Sequence, residues 1–298
     1  MAKWLGSIAV AAFLVSTAAA GTSPTRVKAS SRNETTPAAG SGYFSWAQSR
    51  PGHPRVYDVF AELQGQPAFR VNAPNTTAWG GGIDGTRLAY QQVRKRNSDI
   101  VFLDLVTRVR SDPPAGVNTN RWEWRPSISG GWLLYGRGEP YSASRQQVLL
   151  RNLLTGYERV LASVRRRNAI LLPGDVTGNF AVWMKCVPSP RSCNVYRHDI
   201  TAAKTTRLPN HGQFQYGPSV TSTGTMYFGR SRRGCGSSVK LVKATLDGKT
   251  RVLYSFSRRH DFLATHALEL PPATVRIYFD RLTCRSRRTD IYRLDDTP

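Results

Sequence analysis

The chain has 298 residues, and its 42 lysines and arginines against 19 aspartates and glutamates give a formal net charge of +23 at pH 7. Beyond the first twenty residues no stretch is apolar enough to cross a bilayer as a helix, and the four cysteines lack the closely spaced Cys-x-x-Cys pairs of a four-thiolate zinc site. Arginine outnumbers lysine 34 to 8, a ratio that coding bias can produce, so the charge argues for an anionic partner only if it is sorted in space.

Residues 1–20 combine Lys3, an apolar stretch from Trp4 to Val15 and Ala18-Ala19-Ala20 ahead of Gly21, the layout of a secretory signal peptide. The apolar run is shorter than the ~20 residues a spanning helix needs. Cleavage and export to a secreted, periplasmic or cell-envelope location are therefore expected, with no transmembrane span left afterwards. No cysteine adjoins the cut, which excludes a lipid-modified N-terminus. Residues 21–41, rich in Ser, Thr, Pro, Ala and Gly, read as a flexible linker; Arg26-Val27-Lys28-Ala29 is the exception that could pair as a strand.

From residue 42 to 298 the chain is repetitive. Tight polar turns ahead of short apolar strands fall at Gly40, Gly85, Gly130, Gly178, Gly224 and Pro272, spaced 45 to 48 residues apart. A period of this length marks a β-propeller. The third unit reads as four strands, Trp122 to Ile128, Trp132 to Gly136, Val148 to Leu153 and Tyr157 to Ser163, because short apolar, aromatic and β-branched runs are bounded by Gly, Pro, Asn and Asp. No segment sustains a 3.6-residue period. The predicted fold is all-β: a six-bladed propeller of four-stranded antiparallel blades. The sixth unit offers only three strands, and an unfilled sheet edge is an aggregation hazard. Residues near Val27 are the unassigned supplier, so an N-terminal strand is expected to close the ring.

Four cysteines in an exported chain favour disulfides. Cys186 and Cys193 flank a hairpin mouth between two strand-like runs, where a bridge is geometrically easy. Cys235 and Cys284 pair by elimination, and both fall in the same connection of neighbouring units.

The unit Pro126-Ser127-Ile128-Ser129-Gly130-Gly131, followed by Leu133-Leu134-Tyr135 and by Leu149-Leu150-Arg151-Asn152-Leu153-Leu154-Thr155-Gly156, resembles the TolB-type propeller repeat. Similar traces are Ile83-Asp84-Gly85, Val195-Tyr196-Arg197-His198-Asp199, Leu246-Asp247-Gly248 and Ile291-Tyr292-Arg293-Leu294-Asp295. The resemblance covers residues 40–298 and implies the fold. The Pro-Asp core of the family's turn is replaced at Val176-Thr177-Gly178-Asn179 and Thr221-Ser222-Thr223-Gly224. No partner-contacting motif is matched, so the family's periplasmic partner binding does not transfer.

Successive strands alternate direction, so the second-to-third and fourth-to-first connections of every blade leave at one pole. That set carries Arg94, Lys95, Arg96, Arg165, Arg166, Arg167, Arg230, Arg232, Arg233, Arg258, Arg259, Arg285, Arg287 and Arg288, whereas Asp84, Asp104, Asp175, Asp199, Asp247, Asp295 and Asp296 are assigned to the other pole. One pole should be basic and the other weakly acidic. Trp122, Trp124 and Arg125, with Phe214 and Tyr216, could line the channel top, Trp124 and Tyr216 stacking on a ligand.

Signals for chemistry are sparse. Among five histidines, His260 beside Asp261, together with His266 on an inner strand, are the candidates for catalysis; no His-x-x-x-His, Gly-x-Ser-x-Gly or phosphate-loop pattern occurs, and Gly80-Gly81-Gly82 reads as a strand or turn feature. No cofactor or metal is expected, and no helix-turn-helix or zinc-finger pattern supports sequence-specific nucleic-acid binding. The reading is an exported, non-catalytic interaction module that uses a basic face to engage an anionic polymer, a membrane surface or a protein. The alternative is a carbohydrate-active enzyme at the channel mouth.

Overall fold

The computed structural model describes residues 23–94, 97–138, 145–165, 168–188, 191–232 and 234–297; the signal-peptide reading of residues 1–20 lies outside them. Strand β1 (Thr25–Lys28) precedes the first blade, β2 (Glu34–Gly40), β3 (Tyr43–Arg50), β4 (His53–Leu63) and β5 (Phe69–Arg70). Blade two is β6 (Thr77–Asp84), β7 (Arg87–Arg94), β8 (Asn97–Asp104) and β9 (Arg110–Ser111). Blade three is β10 (Trp122–Ser129), β11 (Trp132–Gly138), β12 (Arg145–Asn152) and β13 (Glu158–Arg165). Blade four is β14 (Ile170–Thr177), β15 (Phe180–Pro188), β16 (Arg191–Asp199) and β17 (Lys204–Arg207). Blade five is β18 (Phe214–Val220), β19 (Met226–Ser231), β20 (Val239–Ala244) and β21 (Thr250–Phe256). Blade six has β22 (His260–Leu270), β23 (Thr274–Thr283) and β24 (Arg288–Asp296), and β1 pairs antiparallel with β24 as its outermost strand. The expected closure is present, and all six sheets are four-stranded and antiparallel.

The linker reading of residues 21–41 needs correction. Glu34–Gly40 is the inner strand of blade one, so the propeller begins before residue 42. The composition misled because small residues also suit strands crowded around an axis: a Cβ on Gly40 would lie 3.1 Å from Ile83 Cγ2 of the next blade.

Every seam between neighbouring blades encloses its own apolar cluster. Blades five and six meet through Tyr227, Phe256, Phe262, Phe279 and Tyr292; Phe256, Phe262 and Phe279 tilt or cross edge to face, and Phe279 stacks on Tyr292. Such aromatic pairs add about 0.5–1.5 kcal/mol each beyond burial. Blades six and one meet through Tyr278, Ile291, Phe44 and Trp46, with Val27 of β1 packed against them. Asp280 of β23 is fully buried at this seam, and it accepts from the Thr35 hydroxyl of blade one and from the backbone N–H groups of Leu263 and Ala264 at 2.9 and 2.8 Å.

Each inner strand carries a bulge at the same level, between Thr35 and Ala38, Trp79 and Gly82, Trp124 and Ser127, Pro173 and Val176, Tyr216 and Ser219, and Phe262 and Thr265. The unpaired pairs thus ring the axis. Proline suits such sites because a bulge needs no ladder donor, and Pro37, Pro126 and Pro218 occupy three of them. Glycine suits them because the bulges nearly touch. A Cβ on Gly81 would meet Ala89 O and lie 2.6 Å from Pro126 O, both backbone atoms.

Both disulfides form as expected. Cys186 and Cys193 face each other across β15 and β16, and Cys235–Cys284 joins the equivalent loops of blades five and six. The chain-entropy argument, with sequence separations of 7 and 49 residues, assigns about 2 and about 4 kcal/mol to them. Removing Cys235–Cys284 by paired Ser substitution is therefore expected to lower the denaturant midpoint more than removing Cys186–Cys193. Gly81→Ala is expected to cost about 1–3 kcal/mol by overpacking, read as a lower midpoint in chemical denaturation; an unchanged midpoint would mean that the inner strands spread to admit the methyl.

Candidate functional site

Two places concentrate charge. The first is the channel, a cavity of about 60 Å³ lined by the bulges, among them Gly80, Arg125, Gly174, Asp175, Gly217 and His266. Ligand pockets span roughly 300–1,000 Å³, so this cavity has room for water or a small ion and not for a sugar ring.

Across it runs a polar strut. Asp175 accepts from the Ser127 hydroxyl of blade three and from its neighbour Val176 N at 3.0 Å, and its other oxygen lies 3.4 Å from His266 Nδ1 of blade six. His266 Nε2 donates to Ala39 O of blade one at 2.8 Å. Four blades are joined by one line of hydrogen-bonding groups. Burial pulls the imidazole's pKa down, but the Asp175 carboxylate and the Ala39 carbonyl outweigh it and leave it raised above the ordinary 6.5. Both ring nitrogens are thus engaged, Nδ1 facing the Asp175 carboxylate and Nε2 bonded to the Ala39 carbonyl.

Arg125 sits in the same cavity. Its φ of 47° is left-handed, a conformation uncommon outside glycine and found where surrounding structure enforces it. The bulge turns its side chain into the channel, where burial lowers the guanidinium's affinity for its proton and the Asp280 field opposes that loss. Asp280 itself is pushed up by burial, against the hydrogen bonds it accepts.

The second concentration lies on loops of blades five and six. Arg232, Arg258, Arg259, Arg285 and Arg287 are exposed, and among the described residues none of them forms an ion pair. Three loops form one platform here: Cys235–Cys284 links two of them, while Gly236 N donates to Arg258 O at 3.2 Å and Cys284 N donates to Arg259 O at 2.8 Å. Arg94 and Arg165 are exposed at the ends of β7 and β13. Lys95, Arg96, Arg166, Arg167 and Arg233 lie outside the described residues.

Other predicted site residues are committed elsewhere. Arg230 is half-buried over the Phe228 ring, with Nε and Nη2 buried and without hydrogen-bond partners, and burial lowers its pKa. Arg288 is half-buried on Asp290 at 3.2 Å. Trp124 and Tyr216 do not line the channel. Trp124 is 6% exposed and lies where a Cβ on Gly136 would be, and Tyr216 packs 5.3 Å from the Phe262 ring with its hydroxyl donating to Asp261 at 2.8 Å. Inner-strand aromatics fill seams here because blade packing offers them more apolar contact than a 60 Å³ channel does.

The catalytic candidates fall into three separate networks. His260 bonds the Ser257 hydroxyl at 2.9 Å, with its pKa lowered by burial and by Arg281 and Arg259; Asp261 holds Tyr216; His266 holds Asp175. Adjacent residues on a strand point oppositely, which is why His260 and Asp261 do not meet. Asp175 is also corrected: it belongs to the channel and not to the pole of the other aspartates. At that pole Asp295, Asp296 and Asp247 pair with Arg276, with Lys243 and Arg251, and with Lys249, so three of the aspartates there are matched by cations. Sequence reasoning missed Asp280; a lone Asp after an apolar strand carries no signal without knowledge of the seam. Among the described residues no group of His, Cys, Asp and Glu could hold a metal, and no helix is long and apolar enough to cross a membrane.

No family profile matches the chain, and no curated protein matches it in sequence. Solved structures do. TolB from Acinetobacter baumannii is 16% identical with a TM-score of 0.60, over 86% of this chain and 65% of that one, so the chain spans under two thirds of its length. A candidate TolB from Agrobacterium tumefaciens is 12% identical, TM-score 0.58, over 90% and 92% of the two chains. The β-propeller domain of the Trilobed protease from Pyrococcus furiosus, with an open velcro topology, is 11% identical, TM-score 0.53, over 89% and 95%. The fold is thus a TolB-like six-bladed propeller.

The His266 strut gives a pH dependence with a definite sign. A raised folded pKa stabilises fully below the unfolded value of 6.5, and the contribution disappears as pH rises through the folded value. The gap in thermal midpoint between the wild type and His266→Gln is expected to be larger at pH 6 than at pH 9. A gap independent of pH would show that the ring is neutral throughout.

Proposed function

We propose that the chain is an exported, non-catalytic binding module that engages an anionic polymer or surface through the arginine platform of blades five and six. The observation that supports it most is a contrast between poles. Arg232, Arg258, Arg259, Arg285 and Arg287 stand exposed without carboxylate partners among the described residues, whereas Arg276, Lys243, Arg251 and Lys249 at the other pole are paired. Like charges held together repel one another. Their cost is offset when a polyanion supplies the missing counter-charges, and such a patch raises the local concentration of anions over about one Debye length, ~8 Å in physiological salt.

Stapling matters for the same reason. A disulfide across two loops and backbone hydrogen bonds to the third hold the guanidinium groups in place before binding, which reduces the ordering cost of association. Two disulfides and no free cysteine fit a chain that works outside the reducing cytosol. The carbohydrate-active alternative has less support, since its three candidate residues bond in separate networks and the channel cavity is about 60 Å³.

Retention on a heparin or phosphocellulose column is expected to be salt-sensitive and to fall when Arg285 becomes Glu. Lys204→Glu, an exposed charge at the opposite pole, is expected to change elution far less. Equal shifts from both variants would mean that net charge, and not this platform, sets retention.

A further inference from the structure

The channel contains one cation that its own walls do not neutralise. Arg125 lines a channel bordered by all six inner strands, and among the described residues its guanidinium makes no hydrogen bond or ion pair; only its backbone N–H donates, to Gln91 Oε1 at 3.4 Å. The two carboxylates near it are turned toward other groups. Asp175 takes the Ser127 hydroxyl and Val176 N on one oxygen and faces His266 with the other. Asp280 takes Leu263 N and Ala264 N on one oxygen and the Thr35 hydroxyl on the other.

An arginine carries five N–H donors and stays charged in proteins. Arg125 is partly accessible from the channel, so these donors are presented to whatever enters it, and the left-handed φ of 47° is a strained conformation that holds the side chain there. We propose that the channel is a binding site for one small inorganic anion, chloride or an oxyanion up to the size of phosphate, held by the Arg125 guanidinium.

Size and shape set the class. About 60 Å³ is room for a few water volumes at the 10–15 Å³ each requires, which admits a phosphate and excludes a nucleotide or a sugar. Gly80, Gly81, Gly174 and Gly217 leave the walls without side chains beside the guanidinium. The forked donor geometry of arginine matches an oxyanion in bidentate fashion. This site is separate from the arginine platform, being inside the ring and not on its loops.

Thermal unfolding of the full chain, titrated with phosphate or chloride against a constant ionic strength of sodium gluconate, tests the site. The wild type is expected to show a saturable rise in midpoint with phosphate or chloride, and Arg125→Met none. Arg232→Glu/Arg285→Glu should keep the rise, since those side chains lie on the loops. If Arg125→Met does not fold, Arg125→Lys keeps a charge without the fork and is expected to bind about tenfold or more weakly. Chloride-35 NMR supplies a second reading: line broadening by the wild type that phosphate displaces and Arg125→Lys weakens. Equal responses of the wild type and the Arg125 variants in both measurements, or a rise lost in the loop variant and kept in Arg125→Met, would overturn the proposal and leave the cavity to water alone.

Discussion

A ring of sheets is only as stable as the seam at which its two ends meet. In this protein that seam lies between blades six and one, and it is held by three kinds of contact at different depths. At the rim β1 supplies the strand that blade six lacks, pairing with β24. In the middle Val27, Phe44, Trp46, Tyr278 and Ile291 pack as an apolar cluster. Near the axis the fully buried Asp280 collects donors from the Thr35 side chain and the backbone of Leu263 and Ala264. The deepest contact is polar because the bulged backbone there has donors to satisfy, and an unpaired buried N–H costs about 1–3 kcal/mol.

The bulges themselves follow from the geometry of the ring. Six strands converging on one axis cannot all keep flat ladders, and an extra residue in each inner strand increases its twist and turns side chains inward. Their sequence determines what the channel contains. Where both bulge residues are glycine the neighbouring backbones close in; where one is Arg125 or Asp175 a charge is delivered to the axis. The outcome is a small, charged centre inside a protein whose seams are apolar.

Charge at the surface is organised differently. Cations beside β23 and β24 and on the outer strands of blade five find carboxylates at one pole, as in Arg276–Asp295, Lys243–Asp296 and Lys249–Asp247. At the opposite pole the loops of blades five and six carry arginines without such partners, and a disulfide keeps those loops together. Surface ion pairs contribute little to stability, so the difference between poles bears on what approaches the protein more than on how firmly it folds.

Much of the architecture was legible in the chain itself. A repeat of 45 to 48 residues with turn residues at fixed places reports blade count directly, since each blade is one hairpin pair that cannot bury its faces alone. The missing fourth strand of the last unit pointed to Val27, and the cysteine positions in equivalent connections pointed to the Cys235–Cys284 bridge; both depend on counting along a periodic chain. What composition obscured was Glu34–Gly40, where small residues that look like a linker are the ones a crowded axis accepts. Only the folded ring decided the site. Asp175 and His266 are far apart in sequence and Asp280 carries no motif, yet closure sets Asp175 3.4 Å from His266; equally, it withdrew Trp124, Tyr216 and Arg230 into packing. Local pattern determines strands because side-chain alternation is a property of the backbone, whereas which charges meet depends on how six strands are phased around one axis.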